Sequence, residues 1–405
     1  MLGNSHAEFN WVWPLLHLWS SYCRNVNTAH YWSPKNPLET RHSILALLAW
    51  LSLTLPVPML GCSPSREAHA RVHQSLDERP ASDGVEPAAW RDFPDSSVPP
   101  AIPGAQDLLH AQQFAVVVLP DTQMYAQEDE DIFEAQTRWI VERRDTLNIK
   151  FVTHVGDIVN HDEAEQWDVA NRSLSMLDSV VPWGMSVGNH DMQCDSGDMS
   201  LFEQYFSSER FSRYPWYVAT FRNNTANAQA FEAYGVKFLV IHLPCNAPDP
   251  YLEWADKLME RYSDHRVIIT THMYLGAYSD PYDTKVGRMV WKKCFGEAGN
   301  TAEQMWQKSF SRHANLVLIL SGDQSRVQAL HQTSVGIGGN PVHEVMSDYK
   351  RAEEKRSGYL RVLLFNLDQK LLRVSTYSPN LGKIATSTQI VPEPTRHAFE
   401  LPLQL

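Results

Sequence analysis

The chain is poor in cysteine, lacks a long basic run and shows no internal repeat. Its 405 residues hold five cysteines, Cys23, Cys62, Cys194, Cys245 and Cys294, and their wide spacing gives no recognisable disulfide framework. In an oxidising compartment the last three could form one disulfide and leave one thiol, with a buried free thiol as the default for at least one. A net charge of -12 without a basic run argues against nucleic acid as the main partner, so no nucleic-acid-binding surface is expected. What is present is a composition of 43% hydrophobic and 20% charged residues, enough for one large domain or two ordinary ones.

The first part of the chain does not read as a fold. Arg41 and His42 precede the apolar run SILALLAWLSLTLPVPML, which ends in Gly61, Cys62 and Ser63. A positive flank, a short apolar core and a small residue before the cut describe a secretory signal. The ending MLGC resembles a bacterial lipoprotein lipobox, with Met59 at a position where Leu is usual, and implies lipid attachment at Cys62. The alternative is a single membrane-spanning anchor, against which Pro56, Pro58 and the length weigh, since a span needs about 20 apolar residues. Residues 1–62 are thus read as an extension plus signal segment, with translation expected to start near residue 38. Residues 63–110, rich in Ser, Pro, Ala and charge, read as a disordered tether. The expected location is the bacterial cell envelope, as a periplasm-facing or surface lipoprotein.

From Phe114 the hydrophobic period switches between two and 3.6 residues. FAVVVLPD, FVTHVGD and GMSVGNHD read as strands separated by the helices DIFEAQTRWIVERRDTL and DEAEQWDVANRSLSMLD. This βαβα order predicts parallel strands with helices outside. The stretch SERFSRYPWYVATFRNNTANAQAFEAYG reads as an irregular aromatic insertion, whose Tyr214, Pro215, Trp216 and Tyr217 could line a cleft or form a satellite core. KFLVIHL, RVIITTH and NLVLILSGD then resume the alternation, and VQALHQTSV, VHEVMSD, YLRVLLF and LLRVSTYS end the domain in strands. The fold class expected is α/β with two sheets packed face to face, the domain running over residues 111–379 and a C-terminal tail over 380–405.

Ligands gather beyond the carboxyl ends of strands in open α/β sheets. Five such ends are informative here: Asp121, Thr122 and Gln123; Gly156 and Asp157, with Asn160, His161 and Asp162 beyond; Gly188, Asn189, His190 and Asp191; His272; and Asp323, Gln324 and Ser325. Two aspartates, an asparagine carbonyl and a histidine offer mixed oxygen and nitrogen ligands suited to Mn, Fe or Zn. A strand-terminal Asp alone is more often a helix cap, and His154 or His242 alone is a core histidine. The order GD, GNHD, then a strand-terminal His is harder to dismiss.

LPDTQ, HVGDIVN, SVGNHD and TTH resemble the ordered motifs of the calcineurin-like metallophosphoesterases over residues 112–379, and GYLRVLLF and TYSP resemble a bacterial subgroup carrying the LPDTQ form. The resemblance implies a four-layer αββα sandwich of two mixed sheets flanked by helices. It implies that Asp157 bridges two metals, that Asp121 and Gln123 face the first, and that Asn189 and His272 face the second. His190 is implied as the general acid, held by Asp191, while a metal-bound hydroxide attacks phosphorus in a phosphoester substrate.

The chain departs from that pattern where the family carries GHxH. Gly322, Asp323, Gln324 and Ser325 stand there, so Asp323 would complete the second metal and Ser325 would serve the first poorly. One firm and one weaker divalent site are expected, with His331 and His343 as candidates to compensate. The leading reading is a metal-dependent phosphoric ester hydrolase. The alternatives are a mononuclear enzyme and a degenerate envelope protein that binds a phosphorylated ligand or a protein partner. Substrate, native metal and oligomeric state stay open.

Overall fold

Six largely buried runs form the strands that carry the site: β1 (Gln113–Leu119), β2 (Ile149–His154), β3 (Trp183–Met185), β4 (Arg266–Thr270), β5 (Leu316–Ser321) and β6 (Pro341–Ser347). The computed structural model describes residues 112–352 and 357–405. The signal-like segment, Cys62 and the tether lie outside the described residues. No helix among the described residues is long and apolar enough to cross a membrane.

The strands form two seven-stranded mixed sheets. In the first, β1, β2 and β3 run parallel, while β1 pairs antiparallel with Leu360–Asn366, which continues to Leu371–Ser378 and Lys383–Ile384. In the second, β5 lies parallel between β6 and β4, and β4 pairs parallel with Val236–His242. Ala226–Ala233 and Tyr217–Phe221 extend one edge, and Ala329–Val335 caps the other.

Both faces of the central strands are buried, which explains their unbroken apolar runs. On β1 the alternation is clean: Phe114, Val116 and Val118 join one hydrophobic cluster, while Ala115, Val117 and Leu119 join another. The first cluster draws on both sheets, with Phe365, Phe238, Ile268 and Leu320, and contains no helical residue. It is the layer between the sheets. Phe114 stacks on Phe365 at 4.8 Å between ring centroids and meets Phe238 of the other sheet edge-on at 5.3 Å. The second cluster joins the outward strand residues to the helices Glu130–Arg143, Ala164–Ser175, Asp249–Arg261 and Ala302–Lys308, through Trp139, Trp167, Tyr251 and Met305. This gives the four layers expected.

Two expectations need correction. The stretch 208–235 is no irregular insertion: it forms a short helix, Ser208–Ser212, and a hairpin that completes the second sheet. Asn227 and Gln229 are buried on that hairpin, so its polar inward positions hide the period of two. Tyr214 and Trp216 stack on each other at 4.8 Å and pack with Phe211 against the main core. The segment 380–405 is no loose tail, because Phe399–Pro402 pairs antiparallel with Leu371–Ser378.

His154 and His242 are core histidines. His154 accepts from the Gly156 amide at Nδ1 (3.1 Å), so its proton sits on Nε2 and is donated to the Thr122 hydroxyl at 2.9 Å. His242 Nε2 lies 2.8 Å from the Thr153 hydroxyl. Burial lowers the pKa of each from 6.5 to about 3. Both stay neutral in the folded protein while the unfolded chain takes up protons below pH 6.5, so their contribution to stability is lost as pH falls from there toward about 3. His242→Gln is expected to reduce the slope of unfolding free energy against pH in that window by up to about one proton. Denaturant titrations at several pH values measure it, and an unchanged slope would remove His242 from the account.

Candidate metal centre

The carboxyl ends of β1 to β6 converge, bringing together side chains more than 200 residues apart in sequence, as the contact between Asp121 and the Asp323 amide shows. Close approach depends on glycine at two turns. A Cβ on Gly188 would sit 2.1 Å from the Asp157 nitrogen, and one on Gly322 would sit 2.2 Å from Asp121 Oδ1. Asp157 (φ 53°) and Asp323 (φ 71°) both adopt the left-handed backbone region, uncommon for residues other than glycine and best tolerated by Asp, Asn and His.

Asp121, Asp157 and His272 are buried and offer ligand atoms within 4.8 Å of one another, a group that could hold a metal ion. His272 donates from Nδ1 to the Val155 carbonyl at 2.9 Å, which turns Nε2 inward. Nε2 lies 3.0 Å from Asp157 Oδ1 and 3.6 Å from Asp323 Oδ1, yet without the alignment of a hydrogen bond. A buried imidazole nitrogen aimed between two carboxylate oxygens suits a divalent ion, and Asn189 adds an amide oxygen nearby. The second position, formed by Asp157, Asn189, His272 and Asp323, therefore fits a metal in donor chemistry.

The first position does not fit as arranged. Lys350 Nζ lies 2.6 Å from Gln123 Oε1, 2.9 Å from Asp121 Oδ2 and 3.5 Å from Asp157 Oδ2, the three oxygens expected to face that metal. It is also 3.3 Å from Asp348 Oδ2. A second ammonium, Lys293 Nζ, bonds Asp323 Oδ1 and lies 3.3 Å from Asn189 Oδ1. A divalent ion about 4 Å from an ammonium is repelled by ~8 kcal/mol at an effective dielectric of 20. Gln123 keeps its oxygen toward Lys350 by donating its amide hydrogen to Asn160 Oδ1 at 2.8 Å. Gln324 donates to Asp323 Oδ2 at 2.6 Å and accepts from the Ala277 amide, which orients the aspartate.

The charges are strongly interdependent. Burial works against ionisation of Asp157, but His272, His190 and Lys350 outweigh it and hold this carboxyl well below the usual range. Asp323 behaves alike, with Lys293 and His272 overcoming burial. Burial and the neighbouring Asp348 instead push Asp121 well above it. Burial disfavours the imidazolium of His272, and Asp157 and Asp121 reverse that, raising its pKa well above the ordinary value.

His190 is half-buried at the rim. Its Nδ1 lies 2.8 Å from the Asn160 carbonyl, which can only accept, so Nδ1 carries a proton and exchange with a substrate falls to Nε2. The expectation that Asp191 orients His190 is corrected by the hydrogen bonds. Asp191 accepts from the amides of Ile158 (2.8 Å), Val159 (3.0 Å) and Gly188 (2.7 Å), so it ties the β2 and β3 turns together. Burial and Asp157 raise its pKa to about 7. His331 and His343 do not compensate at the metal ligands: His331 stacks on Phe399, and His343 bonds Thr333 and the Pro402 carbonyl. Ser325 is buried on the Asp323 turn.

Sequence reasoning missed Asp348, Lys350 and Lys293. A signal existed for the first two, since DYK follows the strand PVHEVMS as the other candidate ligands follow theirs. Lys293 sits in an irregular loop with no such signal. Cys194 and Cys294 form a disulfide that joins the turn after GNHD to this loop, leaving Cys245 free and buried with its thiol pushed up to about 12.

Residues 114–325 match the calcineurin-like phosphoesterase family. The chain belongs to that family. Among curated proteins it is 30% identical over 284 residues to the uncharacterized protein YvnB of Bacillus subtilis (strain 168), covering 69% of this chain and 20% of the relative. The chain thus spans a fifth of that relative's length. Among solved structures, GAP50, the anchor in the inner membrane complex of Plasmodium, aligns over 72% of this chain and 90% of its own at 8% identity and a TM-score of 0.42. Haemophilus influenzae NAD nucleotidase (NadN) aligns over 68% and 49% at 11% identity and a TM-score of 0.37. Membership of the calcineurin-like phosphoesterases supports phosphoester hydrolysis as the kind of chemistry and divalent metals as the kind of cofactor.

Replacing Asp191 with Ala removes three hydrogen bonds to a buried carboxylate and is expected to lower stability by ~3 kcal/mol. Chemical denaturation reads the change. A variant as stable as the parent would remove Asp191 from its role in tying the turns.

Proposed function

We propose that this calcineurin-like phosphoesterase hydrolyses a phosphoric ester at the converging strand ends, with His190 as general acid. The observation that carries the reading is the placement of His190. Its Nδ1 is committed to the Asn160 carbonyl and its backbone amide donates to Asp157 Oδ1 at 3.0 Å, so the imidazole is fixed beside the carboxylate that bridges the two ligand positions. A group held there can give a proton from Nε2 to a departing alcohol oxygen. Asp157, Asn189, His272 and Asp323 would hold a divalent ion of Mn, Fe or Zn, and such an ion supplies Lewis-acid stabilisation of phosphoryl oxygens and an acidified water. Lys293 and Lys350 add positive charge that favours an anionic ester at the same strand ends.

His190→Ala is expected to lower turnover of an aryl phosphate monoester or diester by ~10²–10⁴-fold while bound metal stays unchanged. Equal loss of turnover and of metal would sink the assignment as the acid. The lysine contacts also favour a second reading, a protein that binds a phosphorylated ligand or partner without hydrolysing it. A folded chain that takes up no Mn, Fe or Zn and cleaves neither ester supports that one.

The site is proposed to work outside the cytoplasm, at the cell envelope, held to the membrane by lipid on Cys62. The signal-like run before Cys62 supports this reading, as does the Cys194–Cys294 disulfide, a bond that persists in oxidising compartments. Cys62→Ser is expected to abolish incorporation of labelled fatty acid in a bacterial host. Labelling that survives the substitution would rule out this anchor.

A further inference from the structure

We infer that the ammonium of Lys350 is the built-in cation of the first ligand position, a fixed organic substitute for one metal, so that the centre binds one divalent ion at most. The inference rests on the proposed reading of this cleft as a metal-assisted phosphoester site. Four oxygens surround Nζ, from Gln123 (2.6 Å), Asp121 (2.9 Å), Asp348 (3.3 Å) and Asp157 (3.5 Å). An ammonium has three donors and a single charge, and here they face a carboxamide and three carboxylates as a metal would. Asp157 remains a bridge, with Oδ2 toward Lys350 and Oδ1 toward His272.

Lys350 is held in place from both ends. Its side chain is 4% exposed, and its neighbour Tyr349 is buried with the phenol 2.8 Å from His397 Nδ1. Its backbone amide also lies 3.3 Å from Asp348 Oδ1. Withdrawing Nζ to admit an ion would leave a buried charge without these oxygens or require Tyr349 to leave the core.

Lys293 differs. Its side chain is 18% exposed and engages two of the four ligands at the second position, leaving Asp157 Oδ1 and His272 Nε2 facing each other. It can turn toward solvent when an ion enters, so it competes with metal without excluding it. Position one is closed, and position two is guarded.

The test measures metal without turnover. The full chain is equilibrated with Mn(II), freed of unbound ion, and analysed for manganese per chain and for the electron paramagnetic resonance of the bound ion. The parent is expected to hold one ion with an uncoupled six-line signal. Lys350→Met is expected to hold two, with the broadened signal of a spin-coupled pair, and Lys293→Met to stay at one. Lys350→Gln, which removes the charge but keeps a polar group, is run alongside with circular dichroism in case the methionine variant does not fold. Two ions in the parent, no gain in either Lys350 variant, or two ions in Lys293→Met would overturn the inference. No ion in the parent with a gain of one in the Lys350 variants would uphold it while removing the metal-assisted reading of the function.

Discussion

The structure depends on the need to compensate four carboxylates, Asp121, Asp157, Asp323 and Asp348, buried together at the ends of two sheets. An unpaired carboxylate in such a place costs several kcal/mol, and a group of them repel one another as well. The chain answers with Lys293, Lys350 and His272, each within 3.6 Å of at least one of these carboxylates. The sandwich beneath makes the gathering tolerable. Phe114, Phe238 and Phe365 lock the sheets face to face, so strand ends from distant parts of the chain meet without further support. Asp191 then ties two of the turns through backbone amides.

Most of this fold was legible in the sequence because central strands buried on both faces read as continuous apolar runs, and the helices between them keep a period near 3.6. The site was legible for a related reason. A strand that ends in Gly-Asp or in Gly-Asn-His-Asp places its polar residues where parallel sheets put ligands, whatever the rest of the chain does. The hairpin Tyr217–Ala233 was not legible, since Asn227 and Gln229 point into the interior, where Asn227 donates to the Met185 carbonyl and accepts from the Gln229 amide. Lys293 was hidden too. Its position depends on a loop that is held by Asn246 and by the Cys194–Cys294 disulfide, and neither leaves a local pattern around the lysine. His190 stands between these cases: the GNHD turn marks it in the sequence, but the partner of its Nδ1 is a backbone carbonyl, which no side-chain motif announces.

The disulfide couples two parts of the site that share no secondary structure. Cys194 follows Asn189, His190 and Asp191 by a few residues, and Cys294 is adjacent to Lys293. One covalent link thus fixes the distance between the turn that carries His190 and the loop that carries Lys293. Asn246 reinforces it by accepting from the backbone amides of both Lys293 and Cys294. Lys350 needs no such staple, because Asp348 and Tyr349, which link it to the end of β6, are both buried.

Aspartate on the fifth turn and the two lysines are parts of one electrostatic arrangement. A neutral imidazole at the Asp323 position would leave Lys293 without its directly bonded carboxylate, whereas aspartate gives it that partner and still offers an oxygen to a metal. Lys350 likewise suits a first position in which glutamine supplies a carbonyl oxygen, because an ammonium needs acceptors and an imidazole bound to metal would offer it none. Asp323, Gln123, Lys293 and Lys350 form one set at this centre. Taken together they satisfy the buried carboxylates from within the chain, and a divalent ion must displace a lysine to enter rather than fill a site that lacks charge.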